Sequence, residues 1–491
     1  MDSKKYTFKY FSRYMLLVLA VALFTMSIGM LIITTPAMLS DLSMLLGSKV
    51  FSPLFWKLIS SVALMVLIVL VRQYELAATL VAVISLILDW YLGFYIIAPI
   101  LALVLLFILF LDQSPNRPFV APHNLWLWGS FLVISIFPAI QGAQTLYDTL
   151  TYYPNLILGA FMLFWLGTLV GKDNKSLRRL FNLFLIFGAF IALHSIFEYT
   201  TGKAIFIKPS AQLFLNSTSF YPLGNSGILR FGSFFLQPDA SSAFLAMMLF
   251  IPLGLFVESC LFFQKVIYLI EATLIAIALL FTYSTGAWLS AGVGVAVFFI
   301  LVGSMSFRLQ LTLSIVVVIG VLFVGFPLQI TMLLQHASLP SEIILRQALW
   351  QTALQVIQAF PLTGVGLGRQ IYMEKEENFR VISQIYPYNN PHNSYLELGA
   401  MGGLPVIFLF LMLLISTLWQ AIENWKLADN KTRPLICGGI AAIISLSFNS
   451  WSFGVWTLAP LAVPGWLLLG AISSPLIAKR QNCSIIKHTN A

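Results

Sequence analysis

Long apolar runs separated by short polar or charged clusters dominate the chain. About 20 apolar residues in a helix cover the hydrocarbon thickness of a bilayer, so each run reads as a membrane-crossing helix. The runs predict helices near 15–36, 54–71, 75–90, 93–111, 124–141, 153–170, 180–199, 239–257, 266–283, 286–303 and 309–326. After a long polar interval come 394–418, 435–449 and 456–474. The divisions around Asp89 and around Ser284–Gly286 are the weakest, which gives about 12–14 transmembrane helices. Lys4, Lys5, Lys9 and Arg13 precede the first run in the manner of a signal peptide. Its apolar stretch exceeds the usual ~7–15 residues, so it is expected to remain as an uncleaved helix. The fold class expected is an all-α polytopic membrane protein with a long helical periplasmic loop.

Composition agrees with this pattern. Of 491 residues, 59% are hydrophobic and only 9% charged, against about 25% charged in a soluble chain. The net charge of +9 reads as basic loops held on the cytoplasmic side, and no nucleic-acid-binding module interrupts the apolar runs. With the N-terminus inside, 18 of the 27 Lys and Arg fall in inner segments and 9 in the much longer outer ones. Both termini are then cytoplasmic. Cys260, Cys437 and Cys483 fit no metal-ligand spacing and fall on no outer loop. The absence of an evident internal repeat weighs against an inverted-repeat transporter.

Five segments follow: N-terminal transmembrane helices over 1–199, an outer loop over 200–238, helices over 239–326, a large outer loop over 327–393, and C-terminal helices with a cytoplasmic tail over 394–491. The two loops hold seven of the nine outer basic residues. The longer loop predicts its own helix: Ser341 is placed as its N-cap, Ile344, Ala348, Leu354, Ile357 and Phe360 recur near helical spacing, and Pro361 ends it. Gly364, Gly366 and Gly368 follow; such a turn either offers backbone N–H groups to phosphate or packs tightly on the bundle. It lacks the Lys-Ser/Thr pair of a P-loop.

His392 lies in NNPHNSYLEL among Asn389, Asn390, Asn393 and Ser394, side chains able to orient an imidazole or hold sugar hydroxyls. Arg230 stands among Ile228, Leu229, Phe231, Phe234 and Phe235, where it must snorkel or pair. Asp239 and Glu198 are candidate partners for it. Arg230 and Arg346 together can form a clamp for a dianion, because guanidinium grips phosphate oxygens in a bidentate fork. His194 and Glu198, four apart, are a candidate ion or proton pair, and Glu374, Glu376 and Glu377 are expected to face solvent. The aromatics Phe231, Phe234, Phe235, Trp350 and Phe360 either hold a prenyl chain or simply pack a core.

RQALWQTALQVIQAFPLTGVGLG followed by PHNSYLELGAMGGLPVIFLF resembles the signature region of the O-antigen ligase and O-antigen polymerase superfamily. RFGSFFLQPDASSAFLAMMLFIPLGL and FTYSTGAWLSAGVGV resemble its preceding blocks, so the likeness runs from about 225 to 420. The resemblance implies a C-type glycosyltransferase-like fold in the bacterial inner membrane, with the active site on the periplasmic face. It implies transfer of a glycan from undecaprenyl pyrophosphate to an acceptor hydroxyl, on lipid A–core or a similar lipid or glycan. By motif position His392 matches the residue that activates the acceptor, and Arg230 and Arg346 match the pyrophosphate-binding arginines. Asn393 and Glu397 are candidate acceptor or orienting contacts. Two departures stand out: Ser284-Thr285-Gly286 replaces the frequent Ser-Arg-Gly, and Asp239 replaces the common asparagine beside the anion site.

The chemistry needs no cofactor or metal, because polyprenyl pyrophosphate is already a good leaving group. The site has only to supply positive charge for the diphosphate and a base for the hydroxyl. Direct displacement inverts the anomeric carbon. A polymerase joining lipid-linked repeat units uses the same donor, and the number of helices leans towards it. A lipid-linked oligosaccharide transporter would instead line the spans with polar residues, which are sparse here.

Overall fold

A computed structural model describes residues 73–84, 97–114, 118–144, 148, 151–202, 220–222, 229–235, 237–302, 305–337, 340–381 and 390–477. The expected helices at 15–36 and 54–71, together with Asp89, Asn389 and Cys483, lie outside these residues. Among the described residues, nine helices are long and apolar enough to cross a membrane, and Pro99–Leu111 and Thr285–Leu301 are shorter apolar helices. The protein is an all-α polytopic membrane protein.

The elements that position the site are α1 (Tyr74–Ile84), α2 (Ile97–Leu111), α3 (Leu125–Ile134), α4 (Ile136–Gly142), α5 (Gly159–Val170) and α6 (Asn174–Thr201). A π-helical stretch, Thr151–Leu158, leads into α5. After α6 a short antiparallel hairpin pairs β1 (Phe220–Pro222) with β2 (Leu229–Phe231), setting Tyr221 opposite Arg230. Then come α7 (Pro238–Met248), α8 (Phe250–Glu258), α9 (Phe262–Phe281), α10 (Thr285–Leu301), α11 (Met305–Gly325) and α12 (Pro327–Ala337). The loop helix α13 (Pro340–Ala359) precedes α14 (Arg369–Glu376), and α15 (Ser394–Leu427), α16 (Thr432–Asn449) and α17 (Ala459–Ile472) complete the chain.

The bundle is closed where small residues let backbones meet. A Cβ on Gly167 of α5 would lie 2.2 Å from the Leu467 carbonyl oxygen, and one on Gly470 of α17 would lie 2.1 Å from that of Phe164. Close approach of this kind is what packs helices where lipid gives no hydrophobic drive between them. Trp456 and Trp466, 4.9 Å apart, fill the space beside that contact, with Trp128 5.0 Å from Trp466. At one end of the bundle Arg178 pairs with Glu258 at 3.1 Å, and Asn424 donates to the carbonyls of Ile472 and Ser474. The hairpin, α13 and the N-terminus of α15 gather at the other end.

The loop helix differs from its sequence reading in two respects. Ser341 falls inside the first turn of α13 rather than capping it. The buried stripe is Ala348, Leu349, Thr352, Ala353 and Val356, whereas Ile344 and Leu354 are exposed. An apolar position on a helix lying at a membrane surface need not point into protein, so periodicity alone picked the wrong edge of the stripe. Gln347, Gln351, Gln355 and Gln358 do occupy the exposed side.

Candidate active site

The glycine-rich turn is a clamp. Gly364 N–H donates to the Phe360 carbonyl, Val365 to Ala400, Gly366 to Met401 and Leu367 to Pro138. These amides are spent on protein carbonyls, so the phosphate-cradle alternative fails for them. Gly364 and Gly366 have φ of 63° and 115°, and a Cβ on Gly366 would sit 2.7 Å from the Gly142 nitrogen. The turn thus wedges between α4 and the kink of α15, where Gly403 has φ 80° and Leu404 N–H reaches the Pro361 carbonyl at 2.7 Å. Pro405 beside it cannot continue the helical hydrogen-bond ladder. The clamp fixes α13 and the start of α15 against each other, and these two elements carry Arg346 and the His392 loop.

Arg230 is partly buried and paired. Its Nη2 donates to Asp239 Oδ1 at 2.6 Å and its Nε to the Thr282 carbonyl at 2.9 Å; Ser284 Oγ donates to the same Asp239 oxygen at 3.1 Å. Asp239, not Glu198, is therefore its acidic partner. Arg346 Nη1 donates to the Ser452 carbonyl, in the turn between α16 and α17. Arg346 and His392 both lie within electrostatic reach of the Asp239 carboxylate. Two arginines and a histidine from three parts of the chain thus act on one carboxylate.

His392 adopts φ 51°, one of three positive-φ non-glycine residues among those described; the others are Ser233 and Tyr283, both close in sequence to groups holding Arg230. Outliers of this kind cluster where geometry serves function. Asn390 Oδ1 accepts the His392 backbone N–H at 2.9 Å, and the imidazole lies 6.1 Å from the Phe453 ring. Burial is the main force lowering the His392 pKa, with Arg346 and Arg369 adding to it and Asp239 opposing; the result is about 4. The ring is therefore neutral at neutral pH and able to accept a proton.

The two flanking candidates both make contacts within the fold. Asn393 caps α15, its Oδ1 accepting from Tyr395 N at 3.0 Å and Leu396 N at 3.1 Å, as an N-cap should. Glu397 is fully buried and accepts from Thr457 Oγ1. Phe231 and Phe235 are core residues. Glu376 departs from its solvent-facing expectation: it is buried, pairs with Arg380 at 3.2 Å, and burial outweighs that pair to push its carboxyl up to about 7. Glu374 is held by Gln370 in an exposed contact, and Glu377 is exposed. No cluster able to hold a metal ion occurs among the described residues.

Sequence reasoning missed Arg369, which acts on both His392 and Glu397 and whose backbone N–H is held by Asp148 at 3.0 Å. Its position directly after the glycine turn was the available signal. The Ser452 turn was also missed; its polar residues interrupt the last apolar runs. Gly286 approaches it so closely that a Cβ would lie 2.2 Å from Ser452 Oγ.

No curated protein matches the chain. Residues 272–411 match the family model described as O-antigen ligase, a span that includes Arg346, the glycine clamp and His392 and begins after Arg230 and Asp239. Over this segment the chain is similar to the O-antigen ligase family.

Proposed function

We propose that the protein is a membrane glycosyltransferase of ligase type, moving a glycan from undecaprenyl pyrophosphate to a hydroxyl of lipid A–core or a comparable acceptor at the periplasmic face of the inner membrane. The observation that carries the reading is the convergence of Arg230, Arg346 and His392 on one carboxylate. The acceptor oxygen attacks the anomeric carbon while its proton passes to the neutral His392 ring. The carbon–oxygen bond to the diphosphate breaks with its electron pair, and the two guanidiniums stabilise the charge that collects there. Attack opposite the leaving group inverts the anomeric configuration. Arg369 supplies a third cation where the Ser284-Thr285-Gly286 block has none.

A strain lacking the protein, complemented with wild type or His392→Ala, tests this reading. Its surface glycan is resolved by size, with mild acid releasing pyrophosphate-linked chains. The expected result is polymerised glycan on the acid-labile carrier and bare acceptor, with His392→Ala losing about 10²–10⁴-fold of the transfer. Acceptor bearing a single repeat means a polymerase acting on the same donor. An unchanged glycan ladder with His392→Ala overturns the mechanism.

A further inference from the structure

Three polar side chains behind Arg230 take no part in the transfer just described. His194 and Glu198 sit one turn apart on α6, with side-chain exposures of 4% and 0%. Ionisable groups inside a membrane-length helix are costly and are retained for a reason. His194 Nδ1 lies 2.8 Å from Ser233 Oγ, and Glu198 Oε1 lies 3.9 Å from the other ring nitrogen. A carboxylate on that side favours the proton on Nε2, which leaves Nδ1 to accept the Ser233 hydroxyl proton.

Ser233 is fully buried and holds φ 48°, a conformation a non-glycine residue rarely adopts. It opens a one-turn 3₁₀ segment, Ser233–Phe235, which lies between Arg230 on β2 and Asp239 in the first turn of α7. Around the turn, Tyr199 of α6 meets Phe231 edge-on at 5.4 Å and Phe235 packs 5.1 Å from Phe244. Such ring contacts set how deeply the segment is seated. A hydrogen bond to Ser233 adds what they lack, a directional constraint on the strained backbone.

We propose that His194, backed by Glu198, is a positioning residue whose hydrogen bond to Ser233 locks the turn that aims Arg230 at the donor diphosphate. The inference rests on the ligase reading for the identity of the donor. It gives the buried pair a role in holding the site instead of one in moving ions.

The test compares purified wild type, His194→Phe, which fills the space without the bond, and His194→Asn, whose amide reaches Ser233 from near the Nδ1 position. With an undecaprenyl-pyrophosphate-linked glycan and its acceptor, His194→Phe is expected to lower kcat/KM for the donor about tenfold, with kcat at saturating donor falling too because Arg230 stabilises the departing diphosphate, and to leave the acceptor KM near wild type. His194→Asn should recover most of the loss. Ser233→Ala should match His194→Phe and add nothing when combined with it. Hydrogen exchange over 229–237 should quicken in His194→Phe and stay slow in His194→Asn. An unchanged kcat/KM for the donor with unchanged exchange overturns the proposal, as does a folded His194→Asn as impaired as His194→Phe. If wild type transfers nothing from the lipid-linked donor while its exchange pattern holds, the ligase reading fails and the anchoring by His194 stands. Unchanged exchange in His194→Phe then overturns the anchoring as well.

Discussion

The two arginines of the site are held in different ways. Arg230 is compensated: a carboxylate, a carbonyl and the turn behind it fix its direction, and Asp239 offsets its charge. Arg346 donates to a backbone carbonyl and, among the described residues, has no ion pair within 4 Å, so the Asp239 carboxylate acts on it only from a distance. It also reaches the site from the loop helix, across chain-distant contacts. A paired guanidinium keeps its geometry but has less net charge to offer. An unpaired one beside a low-dielectric bundle is a strong attractor for a dianion. On the proposed function the labour is divided, with Arg346 supplying most of the pull on the donor and Arg230 fixing the orientation.

The sharpest way to break this comparison is Arg346→Lys. Lysine keeps the charge but gives up the planar fork, so at least one charge-assisted hydrogen bond to the diphosphate is lost. Such a bond is worth about 1.5–3 kcal/mol, which corresponds to a fall of about 10–150-fold in kcat/KM for transfer. Equal activity in the two proteins would show that net charge alone matters and that there is no clamp. Steady-state transfer assays at matched expression decide the point.

Asp239→Asn sharpens the same comparison in the opposite direction. The amide can still accept from Arg230 and Ser284 while the opposing charge disappears, so Arg230 becomes as uncompensated as Arg346. The donor KM is expected to fall by up to about tenfold, with acceptor KM unmoved, because a like charge beside a dianion is removed. A higher donor KM would mean that the full ion pair is required to hold Arg230 in place.

The sequence exposed the parts of this arrangement that depend on residue type. Helices at 124–141, 153–170, 180–199 and 239–257 follow from apolar runs, and the structure places α3–α4, α5, α6 and α7–α8 there because hydrogen-bonded helices suit an apolar surround. His392, Arg230 and Arg346 stood out as polar groups beside apolar helices. What stayed hidden depends on backbone direction. The N–H groups of Gly364 and Gly366 look the same in sequence whether they meet a phosphate or the carbonyls of Phe360 and Met401. The carbonyls of Thr282 and Ser452, which hold the arginines, have no side-chain signature at all. Arg369 was visible only as one more loop cation until the clamp fixed it beside His392 and Glu397.

The smallest expected effect concerns acid. In the free protein, burial and the nearby Arg346 hold the His392 pKa down to about 4, so the base is already deprotonated across the neutral range. Protonation removes the base, so kcat/KM, which reports the free protein, should stay level above about pH 5 and fall by about tenfold per unit below pH 4. Donor binding places a dianion against Arg346, cancelling part of the positive field that disfavours the imidazolium. The acid limb of kcat, which reports the donor complex, should therefore lie at higher pH than that of kcat/KM. Donor binding would in this way strengthen the base only when there is a diphosphate to expel. The same weakening of the field in Arg346→Gln should raise the kcat/KM limb and bring the two limbs together, with activity recovered on return to neutral pH as the control for unfolding. Two limbs that coincide in wild type and stay in place in Arg346→Gln would mean that the loop arginine and the histidine do not share a field, and that the two halves of the site act independently.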